Sequence, residues 1–330
     1  MRGREIQLVA RPEGAPDEGH FALVDVDVRA PAAREVLVRN VYLSVDPYMR
    51  GRMSDRKSYL PPFALHAPLE GAAIGVVESS DDAALPAGAT VYHMLGWREY
   101  AVGPAKAFRT VDLAQAPASA YLGVLGIPGF TAWIGLFTIG GCTAGDTVFI
   151  SSAAGAVGSM AVQLAKRAGA RVIGSTRSSE SAGWLRRRFG IDLALVPEPG
   201  RFTEQLRDAA PGGIDVAFDN VGGDQLEAAI ANAADFARFV LCGMIAAYNV
   251  PPPGPRNIAL AVSKRLLLQG FIASDHAARL AEFFREIGPA VARNEIVPCE
   301  TFVDGLTRAP AALCSLFSPG THVGKLIVRL

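Results

Sequence analysis

Hydrophobic and polar positions follow two different rhythms along this chain. Over residues 1 to about 125 the apolar residues fall in short β-rich segments, 35–41, 72–77, 89–92 and 99–102 among them, with Pro and Gly clusters between. Short strands separated by turns predict a barrel-like all-β domain. From residue 126 onwards strands and helices alternate. Residues 147–150 form a short β-branched run, after which Val157, Met160, Ala161, Leu164, Ala165 and Ala168 share one helical face. Residues 171–175 read as the next strand. Further strands are predicted at 193–196, 214–218, 237–241 and 266–268, and helices at 181–189, 224–233 and 277–292. Their apolar runs suit a sheet covered on both faces. β character returns near the end and closes with 324–329. This order predicts an α/β domain, residues 126–299, inserted between residues 1–125 and their completion, 300–330. The cleft between two such domains is where a substrate would bind.

The first strand–helix junction carries the clearest chemistry. Ala153-Ala154-Gly155-Ala156-Val157-Gly158 is a turn of small residues. A pyrophosphate needs backbone N–H groups at a helix N-terminus with no side chains in the way. Gly155 permits that approach and Gly158 lets helix and strand pack closely, while Ala153 stands where a dinucleotide fingerprint has its first glycine. An NAD-preferring site places Asp or Glu at the end of the second strand, to hold the ribose 2′-hydroxyl. Here the residues are Ser175-Thr176-Arg177-Ser178, with no acid. Arg177 offers a guanidinium fork suited to a 2′-phosphate, and the hydroxyls of Ser175, Thr176 and Ser178 add donors. NADP(H) is the expected cofactor. An exposed loop arginine is the alternative for Arg177.

Composition narrows the class. Lys and Arg number 32, Asp and Glu 32, so there is no electrostatic case for nucleic acid or an anionic membrane surface. No apolar run has the length to cross a bilayer, and Met1-Arg2-Gly3-Arg4-Glu5 lacks the apolar core of a secretory signal. The cytoplasm is the expected compartment. Cys142, Cys242, Cys299 and Cys314 form no C-x-x-C pair, and the five histidines show no ligand spacing, so reduced thiols and no metal are expected. Arg186-Arg187-Arg188 reads as a solvated helix face. The loop at 251–255 reads as an active-site wall or a plain connector.

Several stretches, taken in order, resemble one family over almost the whole chain. They are Val45-Asp46-Pro47-Tyr48-Met49-Arg50-Gly51-Arg52-Met53, Ile127-Pro128-Gly129-Phe130-Thr131-Ala132 and the 153–159 turn. Phe218-Asp219-Asn220-Val221-Gly222-Gly223, Cys242-Gly243 with Tyr248-Asn249, Gln269-Gly270-Phe271-Ile272 and Gly324-Lys325-Leu326-Ile327-Val328 follow. Together they resemble the zinc-independent medium-chain reductases of the leukotriene B4 dehydrogenase, prostaglandin reductase and 2-alkenal reductase group. The resemblance implies an α/β chain with a GroES-like β-barrel catalytic domain and an inserted Rossmann domain with a parallel sheet. It also implies NADPH, a homodimer, and a small α,β-unsaturated aldehyde or ketone as substrate. Hydride would pass to the β-carbon, leaving an enolate that takes a proton at the α-carbon.

Site residues follow from the same resemblance. Tyr248 is the leading donor to the enolate oxygen, with Tyr48 and Arg50 next; a structural turn at Asp46-Pro47 is the alternative for the latter pair. Pro47, Thr131, Ala154, Gly155, Ala156, Val157, Gly158, Thr176, Arg177, Ser178, Asn220, Cys242, Gly243, Tyr248, Phe271, Ile272 and His322 are the expected cofactor contacts. Phe271 reads equally as a wall of the substrate pocket or a core phenylalanine. The chain departs from the family pattern at Ser181 for a common lysine, Pro197 for a tyrosine, His322 for an asparagine and Trp133 for a tyrosine. The first two either reduce NADPH preference or shift its load onto Arg177. His322 holds a cofactor contact through a ring N–H or is an exposed loop histidine; Trp133 reads as packing.

Rival readings share the fold. A quinone reductase would use NADPH on a quinone, and a sensor or structural relative would bind NADPH without turnover. A zinc alcohol dehydrogenase fits poorly, because Leu69-Glu70-Gly71 lacks the histidine of its Gly-His-Glu and the cysteine lobe is missing.

Overall fold

The computed structural model describes residues 1–250, 254–318 and 322–330. Residues 251–253 of the proline loop lie outside that set. The chain divides into two units. The first is built from Met1–Leu122 and the C-terminal return, the second from Gly123–Cys299.

The first unit opens with an antiparallel hairpin that the hydrophobic pattern did not reveal, β1 (Arg2–Leu8) on β2 (Phe21–Asp27). Next come β3 (Glu35–Ser44), a single helical turn α1 (Met49–Arg52), β4 (Ala73–Ser80), β5 (Thr90–His93), β6 (Tyr100–Pro104) and β7 (Arg109–Thr110). Strand β3 pairs antiparallel with β4 along one edge and with β6 at the N-terminal end of the other. Its apolar residues alternate into a core of Val36, Val38, Val77, Val91, Ala101 and Phe108. Each fully buried aliphatic or phenyl side chain there contributes about 1.5–3 kcal/mol.

In the second unit, β8 (Thr147–Ile150), β9 (Arg171–Ser175), β10 (Leu193–Leu195), β11 (Ile214–Asp219), β12 (Ala233–Leu241) and β13 (Leu267–Gly270) pair in parallel. Their order is β10-β9-β8-β11-β12-β13. Numbered within the unit this is 3-2-1-4-5-6, the doubly wound order of a dinucleotide fold, with its reversal between β8 and β11. The helices are α2 (Ile127–Trp133), α3 (Ala156–Arg167), α4 (Ser179–Phe189), α5 (Phe202–Ala209), α6 (Gly223–Ala231), α7 (Leu260–Ser263) and α8 (Leu280–Ala292). Helix α4 has Ser178 as its N-cap and left-handed Gly190 at its C-terminus, and Arg186, Arg187 and Arg188 are exposed in its last turn.

Some predicted boundaries move. The helix expected over 224–233 ends at Ala231, and β12 starts at Ala233 because Ile214 of β11 pairs with it before a register shift. The helix expected from 277 begins as a 3-10 stretch, Ala273–Arg279, kinked at His276, and α8 proper starts at Leu280. Helix α2 runs on into a π-helical turn, Ile134–Ile139, where Gly135 takes two phenyl rings. A Cβ on Gly135 would lie 2.6 Å from Phe218 and 2.9 Å from Phe271.

The return adds β14 (Glu300–Asp304), α9 (Ala309–Ser315) and β15 (Lys325–Arg329) to the first unit. Strand β15 lies parallel to β14 and antiparallel to Tyr42, Leu43 and Ser44 of β3. The whole of 300–330 was expected in this unit. Gly324, however, clusters with the second, where its N–H donates to Ala154 O at 2.7 Å.

Candidate active site

At the reversal of strand order, the chain leaves β8 through Ser151-Ser152-Ala153-Ala154-Gly155 and enters α3. Ser152 takes a left-handed φ of 52°, and its carbonyl accepts from Gly155 N–H at 2.9 Å. A Cβ on Gly158 would stand 2.1 Å from that same carbonyl oxygen, so only glycine lets α3 start this close to the turn. Ser159 N–H makes the bond back to Gly155 O, which leaves the N–H groups of the first helical turn, Ala156, Val157 and Gly158, without an earlier turn to bond. With no long side chain in front, they form an anion cradle.

Ala153, in the place of the first glycine, is fully buried. The room for its methyl comes from β9: a Cβ on Gly174 would lie 2.6 Å from the Ala153 Cβ. A glycine inside a strand was the signal for this exchange.

Asp219, at the end of β11, locks the reversal point. It accepts from Ser151 Oγ at 2.6 Å and from Gly222 N–H at 2.9 Å, and burial pushes its carboxyl up. Asn220 Nδ2 donates to Ser151 O at 2.7 Å, and Asn220 N–H to Ser151 Oγ at 2.8 Å. Asp219 O in turn accepts from Cys242 and Gly243 at the end of β12. Burial pushes the Cys242 thiol up to about 12, so it stays a neutral thiol. The short helix after it delivers Tyr248, whose N–H bonds Ile245 O. Its ring folds back over the β12 exit: a Cβ on Gly243 would sit 3.4 Å from the Tyr248 hydroxyl. Burial raises that phenol above its ordinary range, so it remains a proton donor at neutral pH.

The second strand ends in residues of unequal use. Ser175 was expected to add a donor to the 2′-phosphate site. It is instead fully buried, its Oγ donating to Gln225 Oε1 at 2.5 Å. Thr176 is buried and tied by its N–H to Leu195 O. Ser178 Oγ caps α4, accepting from Ser181 N–H at 3.1 Å. Arg177 is the exposed residue of the four-residue stretch. Thr131 is half-buried on α2, Phe271 and Ile272 are half-buried after β13, and half-buried His322 lies two residues before Gly324. Trp133 is packing: its Nε1 donates to Glu286 at 3.0 Å and Arg279 covers its ring at 4.4 Å.

In the first unit, Asp46-Pro47-Tyr48 makes the turn into α1. Tyr48 packs on a core of Leu43, Val45, Met49, Met53 and Val328, and its hydroxyl is buried with no hydrogen-bond partner among the described residues. Burial, then the charge of Asp46, raises this phenol well above its ordinary value. Arg50 is buried and donates through Nη2 to Gly14 O at 2.7 Å. Among the described residues no three His, Cys, Asp or Glu side chains gather as a metal site.

Two family descriptions match the chain, an N-terminal domain of oxidoreductase over residues 4–111 and a zinc-binding dehydrogenase over 156–287. An NADPH-dependent curcumin reductase from Escherichia coli is 38% identical, covering 100% of this chain and 97% of that protein. A 2-alkenal reductase (NADP(+)-dependent) from Nicotiana tabacum is 35% identical, covering 100% of this chain and 98% of that protein. This chain belongs to the zinc-independent medium-chain dehydrogenase/reductase group. The crystal structure of CurA in complex with NADPH from Vibrio vulnificus is similar to this reductase with a TM-score of 0.92 and 38% identity, covering 99% of this chain and 98% of that one. Against this background the reductase has features that its sequence did not announce: the Ser175–Gln225 bond and a buried lysine at position 325.

Proposed function

We propose that this reductase uses NADPH to saturate the carbon–carbon double bond of α,β-unsaturated aldehydes and ketones. The reaction class is that of relatives named 2-alkenal reductase, curcumin reductase and (+)-pulegone reductase. The observation that carries the reading is the Tyr48 hydroxyl, buried, protonated and without a hydrogen-bond partner among the described residues. A buried hydroxyl left unsatisfied costs about 1–3 kcal/mol, which a substrate oxygen would recover.

The cofactor fits the residues present. The α3 N-terminus, cleared by Gly155 and Gly158, would hold the pyrophosphate, and Arg177 the 2′-phosphate. Thr131, Asn220, Cys242, Gly243, Phe271, Ile272 and His322 are the proposed further contacts. When bound, the reduced nicotinamide supplies hydride to the β-carbon. Tyr248 donates to the carbonyl oxygen, and its bond strengthens as negative charge builds there in the enolate. Tyr48 is a second donor that orients the carbonyl, and Arg50 supports it by holding the Gly14 loop. A proton at the α-carbon completes the reduction.

A homodimer is part of this reading. Strand β13 is the sheet's last strand and is mostly exposed, with Leu267 53% exposed beside the exposed Phe236 and Val262. A second copy adding its own β13 would cover that edge. The reducing cytoplasm, which suits cysteines kept as thiols, is the proposed compartment.

The test is NADPH oxidation with 2-alkenals, cyclic enones and quinones, and product analysis, for wild type, Tyr248→Phe and Tyr48→Phe. The saturated carbonyl should form, and loss of one oxyanion donor should lower kcat by about 10²–10³. Turnover confined to quinones, or phenylalanine variants as fast as wild type, would refute the reading.

A further inference from the structure

Lys325 is the first residue of β15 and only 1% exposed. Its ammonium donates to Val45 O and to Asp46 Oδ1, the latter at 2.9 Å. The other Asp46 oxygen accepts from Ser44 Oγ. Glu300, opposite Lys325 on β14, is half-buried and accepts from Ser119 Oγ at 2.9 Å. Burying an ammonium costs several kcal/mol, and an apolar pair of the same volume is commonly as stable or more so. Stability alone therefore does not explain this lysine.

Its partners explain it better. Val45 and Asp46 are the two residues before Pro47-Tyr48. Asp46 O accepts from Met49 N–H at 3.1 Å and Tyr48 O from Gly51 N–H at 3.0 Å, so the turn that aims Tyr48 begins at the atoms Lys325 holds. The Tyr48 hydroxyl makes no hydrogen bond among the described residues, which leaves the turn and the core to fix the ring. The Asp46 carboxylate also acts electrostatically on that phenol, and Lys325 is its counter-charge.

We propose that Lys325 is a positioning residue for Tyr48: it pins the Val45–Asp46 corner and neutralises the carboxylate beside the phenol, so that the hydroxyl meets the substrate carbonyl in one place. This rests on the reading of Tyr48 as a donor to the substrate. Lys325 touches neither substrate nor cofactor and acts through the turn.

A double-mutant cycle tests it: wild type, Lys325→Met, Tyr48→Phe and the double variant, assayed for kcat/KM with a 2-alkenal and for NADPH affinity by fluorescence titration. Lys325→Met should lower kcat/KM about tenfold or more in the wild-type background and less than about twofold in Tyr48→Phe, because coupled residues are non-additive. NADPH affinity should hold within about twofold. Equal losses in both backgrounds, with Tyr48→Phe itself slow, overturn the role of Lys325 alone. A Tyr48→Phe variant at the wild-type rate overturns the Tyr48 reading and this inference together. If Lys325→Met does not fold, Asp46→Asn/Lys325→Met, which removes both charges, takes its place in the same cycle.

Discussion

The two units place their candidate chemistry by opposite means. In the second, the turn at Ala153–Gly158 works through backbone and the absence of side chains; added volume is what it cannot accept. In the first, the corner before Tyr48 is held by a buried polar lattice of Lys325, Asp46 and Ser44, and Asn40 with His93 forms a second buried polar pair. There the vulnerable quantity is charge. A backbone cradle suits a cofactor common to many enzymes, whereas a side-chain lattice fixes one donor for one substrate.

The largest expected effect on cofactor binding lies in the backbone cradle. Gly158→Val puts a branched side chain where even a Cβ would be 2.1 Å from Ser152 O. Overpacking of a well-packed site costs about 1–3 kcal/mol or more, and with backbone as the obstacle the upper end applies. Soluble protein that no longer retains NADPH in equilibrium dialysis is the expected result. Normal binding would break the contrast between the units.

The next effect sharpens the polar side. His93 is buried, bonded through Nε2 to Asn40 Oδ1 at 2.8 Å, and burial lowers its pKa to about 3 from 6.5. With the folded value depressed, the unfolded chain takes up the proton first as pH falls. Stability is thus full above about 6.5 and drains toward 3, by roughly 3–5 kcal/mol from this group. Urea melts of wild type and His93→Gln across that range should show a flatter acid limb in the variant. Parallel limbs would remove His93 from the charge-sensitive lattice.

The smallest effect concerns Arg177, the exposed side chain proposed for the 2′-phosphate. Arg177→Ala should weaken NADPH by about ten- to a hundredfold, as loss of a charged hydrogen bond of about 1.5–3 kcal/mol implies, and leave NADH nearly unchanged. Equal losses for both nucleotides would mean that Arg177 does not read the 2′-phosphate.

Local patterns made much of this legible. The helical face of Val157, Leu164 and Ala165 and the β-branched run before it are visible within a dozen residues, and α3 and β8 follow them. The hairpin β1–β2 was missed because its outer face is half exposed and its pattern is broken, and α5 because its eight residues follow a loop directly. Ser175 misled for another reason. Its position at the strand end was read correctly, but which way its hydroxyl faces depends on Gln225, fifty residues away in sequence.

Order of elements, the small-residue turn, the absence of an acid after β9 and the family itself were all set by the sequence alone, since periods of 2 and 3.6 residues and short motifs are local properties of a chain. Tertiary structure decided the rest. Lys325 meets Asp46 across 279 residues, Glu300 meets Ser119 across 181, and Gly174 yields its space to Ala153 on the neighbouring strand. Such pairings leave no periodic trace. They exist because a buried charge or methyl must find its partner in whatever the folded chain brings beside it.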